Sequence, residues 1–489
     1  MITTLINVLY VVSCTLLAIY GIHSLTLSLI YLWQARHPRC ASLTTDETLP
    51  TVTIQLPIYN EQYVVERLLA ACAAIDYPRD RLQIQLLDDS TDGTREIARR
   101  AVEAWRAQGI DMQHVTRPDR RGYKAGALEY GLATASGEFV AVFDADFLPP
   151  PDFLRRILPL FADPEVGCVQ ARWGHVNPNY SWLTRAQAAA IDMHFGIEQA
   201  TRSYYELPMN FNGAAGLWRR TCIDDAGGWR AETLTEDLDL SYRAQLAGWK
   251  FRFVPDLIVP AEIPVQLNAY KRQQFRWAKG SIQTARKVLG TLWTSALPVH
   301  KKVFGTFHLT GYVVSPLMLL VLLTAVPAVL TPRGWHVPPW TIFAAFGPWL
   351  LYWLSRASAP ESVGHKLTLL GSLILMGTGM AINNTKAILE AVLGVPSAFE
   401  RTPKFNIQQT GEAWGGNQYA LPRDPVVWLE VAASAYAAVM VVIALQHDLW
   451  GLAPWLALYA LGFGWIAALS FVQAWEQSRL RAARTAQAA

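Results

Sequence analysis

Three acidic clusters occur in order along the chain, Asp88-Asp89, Asp144-Ala145-Asp146 and Glu236-Asp237, and Gln273-Gln274-Phe275-Arg276-Trp277 follows them. Asp144 and Asp146 come directly after the apolar run Phe139-Val140-Ala141-Val142-Phe143. Carboxylates one residue apart on an extended segment face the same side. There they suit a hard cation, Mg²⁺ or Mn²⁺, shared with phosphate oxygens and able to stabilise a leaving diphosphate. Turn-capping is the alternative for such Asp residues, and the position after a buried strand favours the metal. Thr235-Glu236-Asp237-Leu238-Asp239 offers a carboxylate that takes a proton from an attacking hydroxyl, or else acids that complement a helix start. Gln273, Arg276 and Trp277 at i, i+3 and i+4 share one helical face. An indole stacks on the apolar face of a hexose and a guanidinium grips phosphate oxygens in a fork. The basic residues around them, Lys271, Arg272, Lys279, Arg286 and Lys287, equally suit a helix lying on anionic headgroups, and both readings can hold together.

These residues need elements to position them. Across residues 49–291, short β-branched runs alternate with helical patterns, which predicts a parallel sheet wrapped by helices. Strands are expected at 52–56, 82–87, 112–116 and 139–143, with helices at 61–74, 94–108 and 124–133. Ligands of such sheets bind at the carboxyl ends of the strands. Asn60-Glu61, Asp88-Asp89 and Asp144-Ala145-Asp146 each follow a predicted strand. Asp88-Asp89-Ser90-Thr91-Asp92-Gly93-Thr94 is also a plausible helix cap. Lys124, in Arg121-Gly122-Tyr123-Lys124-Ala125-Gly126, sits where a helix start already favours anions, although a solvated surface lysine is the plainer reading. The glycines of Phe211-Asn212-Gly213-Ala214-Ala215-Gly216 allow close backbone approach to a sugar, or simply a turn.

The 489 residues are 52% hydrophobic and 17% charged, and the apolar ones are bunched. No charged residue precedes Arg36, so the chain opens on an uncleaved span of the bilayer, at residues 1–35. Arg36 and Arg39 after it place its end in the cytoplasm. Five further apolar runs follow, across residues 303–475. If all of them crossed, the tail at 476–489, with Arg479, Arg481 and Arg484, would end outside, against the charge rule. The run at 367–393 contains Asn383, Asn384, Lys386 and Glu390, costly in lipid, and is read as interfacial or protein-packed, leaving five spans. The net charge of +3 and the lack of any nucleic-acid motif argue against nucleic acid as a partner. Five cysteines, Cys14, Cys40, Cys72, Cys168 and Cys222, without a C-x-x-C pair, predict neither zinc nor a disulfide framework.

The three acidic clusters and the Q-x-x-R-W signature resemble those of processive family 2 glycosyltransferases, closest to the cellulose synthase-like A and C types and their bacterial relatives. Those enzymes make β-mannan, glucomannan or β-1,4-glucan. The resemblance implies a GT-A (Rossmann-like) cytoplasmic α/β domain with an α-helical transmembrane region. It casts Asp237 as general base and Asp146 with Asp144 as metal ligands. Tyr59, Glu61, Asp89, Lys124, Asp144, Gln273 and Arg276 would hold the nucleotide sugar, and Trp277, Phe211, Asn212 and Gly213 the acceptor end. Phe399-Glu400-Arg401-Thr402-Pro403-Lys404 resembles the gating loop of cellulose synthases, F-x-V-T-x-K, with Arg401 at the valine position; Phe399, Thr402 and Lys404 carry that likeness. No fused cyclic-nucleotide-sensing domain is expected after the last span. The implied activity is inverting, metal-dependent transfer of hexose to a growing polysaccharide extruded through the protein's own helices. Between UDP-glucose and GDP-mannose, this reading inclines to UDP-glucose. A non-processive transferase with a lipid acceptor is the first alternative. A membrane scaffold or transporter with a dead transferase domain is disfavoured, because every charged catalytic position is filled.

Overall fold

The computed structural model describes residues 1–36, 49–330, 339–357, 359–415 and 417–488. Arg39, Cys40 and Arg333, and the side chains of Arg36, Arg481 and Arg484, lie outside it. Seven strands form one sheet: β1 Val52–Ile58, β2 Leu82–Asp88, β3 Met112–Val115, β4 Phe139–Val142, β5 Val166–His175, β6 Gly216–Arg219 and β7 Lys250–Ala261. Their order is β3-β2-β1-β4-β6-β5-β7. β1 and β4 are buried almost throughout, the pattern of strands covered on both faces by helices. Polar residues inside this core are matched across strands: Thr53 donates to Gln83 Oε1 at 2.8 Å and Gln55 Nε2 to Gln85 Oε1 at 3.1 Å.

The four predicted strands are all present, and β1, β2, β3 and β4 run parallel. The sheet as a whole is not parallel, which corrects the sequence expectation, because β6 is antiparallel to both β4 and β5. That inversion matters for the site: it brings the residues before β6, Asn212 to Ala215, to the carboxyl end of β4. The helix after β1 begins at Val65 rather than near residue 61. Asn60, with φ of 55°, turns the chain after β1 and leaves Glu61 in the loop. Cys14, Cys72, Cys168 and Cys222 are free and buried.

Among the described residues, four helices are long and apolar enough to cross a bilayer: Ile2–Gln34, Val299–Val329, Val427–Gln446 and Ala453–Leu480. The expected span near residue 350 contains a helix of 14 residues, Ile342–Ser355, with Pro348 inside it. Helices Val363–Gly379 and Ala381–Val392 meet at a bend of 42°. This bent pair touches the sheet-bearing half at both ends. Near its start, Leu369 clusters with Ala189 and Tyr352, and Tyr352 Oη donates to Lys366 O at 2.6 Å. Near its end, Lys279 pairs with Glu390 at 2.7 Å. The helix Leu267–Thr294 lies between the two halves, and its buried Lys271 is paired at 2.6 Å with buried Glu430 of Val427–Gln446.

Candidate active site

Asp144 and Asp146 follow β4 at its carboxyl end and each meets a lysine. Lys124 Nζ lies 2.5 Å from Asp144 Oδ1 and 2.9 Å from Gly213 O. Lys404 Nζ lies 2.6 Å from Asp146 Oδ2 and 2.9 Å from Glu262 O, and the Glu262 amide donates to the same carboxylate oxygen at 3.0 Å. Burial alone would lower the pKa of both lysines; the facing carboxylates, Asp144 and Glu236 for Lys124, Asp146 and Glu262 for Lys404, outweigh it and raise them. Both are therefore fixed cations, and the surface-lysine reading of Lys124 falls. A divalent cation fits here. Each carboxylate keeps one oxygen free of protein partners among the described residues, and no third acidic or histidine ligand closes a cage. That donor set matches an ion that takes one or two carboxylates and completes its shell from phosphate and water.

Asp237 heads the helix Glu236–Leu246 and faces the loop before β6 so closely that a methyl group on Gly213 would come within 2.8 Å of its Oδ2. Gly213 has φ of 83°, so glycine serves both the turn and the approach. Burial and then Glu236 push the Asp237 carboxyl up to about 7, against the pull of Lys124 and Arg276. Asp239, two residues on, turns away to Arg243 and Lys287, both at 2.9 Å. Gly280 of the Leu267–Thr294 helix lets that helix press on Thr235, since an added methyl would lie 2.5 Å from the threonine side chain. The base and the Q-x-x-R-W face are thus held by one contact.

Gln273, Arg276 and Trp277 reach the same pocket as Asp89, Asp144, Asp146 and Asp237. A second cavity, about 590 Å³, continues from it. Asn212, Asp237, Gln273 and Trp277 border both. The second cavity runs on between Tyr20 and Leu27 of the first helix, Phe307 and Tyr312, and Ala344 and Leu351. It is therefore a passage among the apolar helices, starting at the indole.

Phe399, Thr402 and Lys404 also line the first pocket. Arg401, where the related loop has valine, approaches Glu61 Oε2 at 3.4 Å, donates to Asn60 O and lies 4.4 Å over the Tyr419 ring. Burial raises the Glu61 carboxyl to about 8, with Arg401 pulling it down. Arg401 thus makes a polar latch between this segment and the turn after β1. At the far end of the pocket, Asp89 is gripped in a fork by Arg117, at 2.7 and 2.5 Å, and Tyr59 carries Arg120 over its ring at 3.5 Å.

One expected residue is out of place. Phe211 is fully buried against Trp218 and Trp229 and borders neither cavity. The extended segment before β6 points alternate side chains to opposite sides, so with Asn212 in the site, Phe211 enters the core. Gly213 contributes its carbonyl and its lack of a side chain. Sequence reasoning missed Arg117, Arg120, Trp173 and Glu262, all at strand ends or in the turn before Lys124; the run of Arg117, Arg120 and Arg121 was the one available signal.

Residues 50–280 match the family model described as glycosyltransferase like family 2. "Probable glucomannan 4-beta-mannosyltransferase 7" of Oryza sativa subsp. japonica is 40% identical over 64% of this chain and 55% of its own length. "Glucomannan 4-beta-mannosyltransferase 1" of the same plant is 35% identical over 75% of this chain and 72% of its own length. The alignment thus spans little more than half of the first relative and nearly three quarters of the second. Among solved structures, the mannosyltransferase PcManGT from Pyrobaculum calidifontis, in complex with GDP-Man and Mn²⁺, shares the fold at 22% identity and a TM-score of 0.51, covering 78% of this chain and 100% of its own.

Proposed function

Because the chain belongs to glycosyltransferase family 2, we propose that it is a processive, inverting mannosyltransferase that builds a β-linked polysaccharide and passes it into the membrane. The observation that carries this reading is the shared wall of the two cavities, which includes Asn212, Asp237, Gln273 and Trp277. It supports a base, a stacking surface and an exit meeting at one point. Relatives named as mannosyltransferases at 35–40% identity support GDP-mannose over the UDP-glucose that the sequence reading inclined to.

Asp237 faces the acceptor side. It takes the proton of the acceptor hydroxyl as that oxygen attacks the anomeric carbon, while the bond from that carbon to the diphosphate breaks on the opposite face. A carboxyl near pKa 7 is part ionised at neutral pH and so can act. Asp146 and Asp144 would hold Mg²⁺ or Mn²⁺, which supplies charge stabilisation to the departing diphosphate. Lys124 and Arg276 add fixed positive charge beside it. Trp277 stacks on the terminal sugar and holds the chain between additions.

The same reading sets the catalytic half in the cytoplasm. Ile342–Ser355 returns the chain to that face, and the bent pair after it dips in without crossing. Support comes from Leu369, which clusters with Ala189 of the catalytic half near the start of the pair, and from Glu390, which pairs with Lys279 near its end.

Purified protein with Mn²⁺ should turn labelled GDP-mannose, and not UDP-glucose, into long product that a β-1,4-mannan hydrolase degrades. A product consisting of lipid with one or two sugars would reject processive synthesis. Polymer made only from UDP-glucose would reject the mannosyl donor.

A further inference from the structure

Five side chains, three aromatic rings and two cations, form a continuous series of stacked contacts beside the pocket. Arg120 lies 3.5 Å over the Tyr59 ring and 4.9 Å from the Tyr123 ring. Tyr123 stacks at 6.0 Å and 27° on Phe399, and Phe399 carries Arg276 at 4.7 Å. The arrangement costs backbone strain: Tyr123 sits at φ of 50° after Gly122 at 72°, which folds its ring back toward Arg120.

Arg276 is at the diphosphate end, on the Q-x-x-R-W face. Arg120 is at the other end, with Tyr59 after β1 and Asp89 after β2. Those strands lie one and two places from β4, about 5 and 10 Å from the carboxylates that would meet the diphosphate. A nucleoside extends from its diphosphate in that direction. The neighbouring cations are already engaged: Arg117 is spent on Asp89 and on the carbonyls of Arg121 and Tyr123, and Arg401 on Glu61 and Asn60. Arg120, among the described residues, has no ion pair and no hydrogen bond from its guanidinium.

A guanidinium stacked on an aromatic face directs its N–H groups outward in its own plane. That edge matches a base offering two adjacent acceptors. Guanine does so with O6 and N7, and an arginine fork on that pair is the commonest specific contact to this base. Uracil has no such pair. We propose that Arg120, held flat by Tyr59 and Tyr123, selects a guanine nucleotide by binding O6 and N7 of the base. This deepens the GDP-mannose reading and rests on it.

The test is titration calorimetry of the full-length, detergent-purified protein with GDP, UDP and 7-deaza-GDP, which lacks the N7 acceptor. The wild type should bind GDP more tightly than 7-deaza-GDP. Arg120→Ala and Arg120→Lys should each lose about 10- to 100-fold in GDP affinity, lose the preference over 7-deaza-GDP, and keep UDP affinity unchanged. A wild type that binds GDP and 7-deaza-GDP equally overturns the inference with no variant needed. So do variants that keep the preference, or that lose GDP and UDP by one factor, the mark of a phosphate contact. A wild type that prefers UDP to GDP overturns the guanosine donor itself, an outcome distinct from a GDP preference that survives the loss of Arg120.

Discussion

Replacing Lys404 by methionine should tighten Mn²⁺ binding to the nucleotide-free protein. The Lys404 ammonium lies 2.6 Å from Asp146 Oδ2 and 2.9 Å from Glu262 O, and the Asp146 side chain is only 4% exposed. A cation that takes Asp146 must first displace that ammonium. A hydrogen bond between charged groups contributes about 1.5–3 kcal/mol net. At about 1.4 kcal/mol per factor of ten, its absence should strengthen metal binding by about 10- to 100-fold. The bare attraction of two charges near a surface is larger, about 4 kcal/mol at 4 Å, and the smaller figure allows for the desolvation both groups have already undergone. Methionine keeps the length of the stem, and the segment stays anchored by Phe405 N on Glu262 Oε1 at 2.8 Å. The loss of the free-ion Mn²⁺ signal in electron paramagnetic resonance gives the affinity without any need for turnover. Unchanged or weaker affinity in the variant would refute competition between lysine and metal.

Three further outcomes are expected. Since the Asp237 carboxyl is raised to about 7 by burial and Glu236 and works only when ionised, kcat/KM should rise with pH through about 7; Asp237→Asn should be about 10²–10⁴-fold slower with donor affinity retained, and loss of donor binding would make Asp237 a binding residue. Trp277→Ala should release short oligomers, losing roughly 1–3 kcal/mol of stacking if base stacking is a fair analogue; full-length product from the variant would remove the indole from the acceptor site. Lys271→Met leaves Glu430 buried and alone, which should destabilise the protein by about 3–5 kcal/mol, whereas Lys271→Met with Glu430→Leu should recover most of it; equal melting temperatures for the single and double variants in detergent would contradict this.

The acidic clusters were legible because they are local: a strand followed by a carboxylate puts that carboxylate at the sheet's ligand-binding edge, and Asp89, Asp144 and Asp146 all lie there. Asp237 was legible only through its motif, and its separation from Asp239 depends on Lys287, 48 residues beyond Asp239 in sequence. Phe211 was misassigned because the inversion of β6 decides which residues of that loop face the pocket, and nothing in the run itself signals an antiparallel neighbour. Arg401 looked like a departure from a pattern; its partner Glu61 is 340 residues earlier, a pairing that only the folded chain reveals.

The ion pairs Lys271–Glu430 and Lys279–Glu390 have a further consequence. They pin two successive parts of one helix to two different membrane-side helices, so the catalytic half has no free hinge there about which to rock. Advancing a product by one sugar therefore calls for a small moving part inside a fixed frame. The segment from Phe399 to Lys404 qualifies, since side chains rather than a packed core hold it: Arg401 to Glu61, Lys404 to Asp146. In engineering terms the protein resembles an escapement, a rigid housing with one light pawl, and under the proposed function the work of each step would be set by two side-chain contacts rather than by the sliding of helices through lipid.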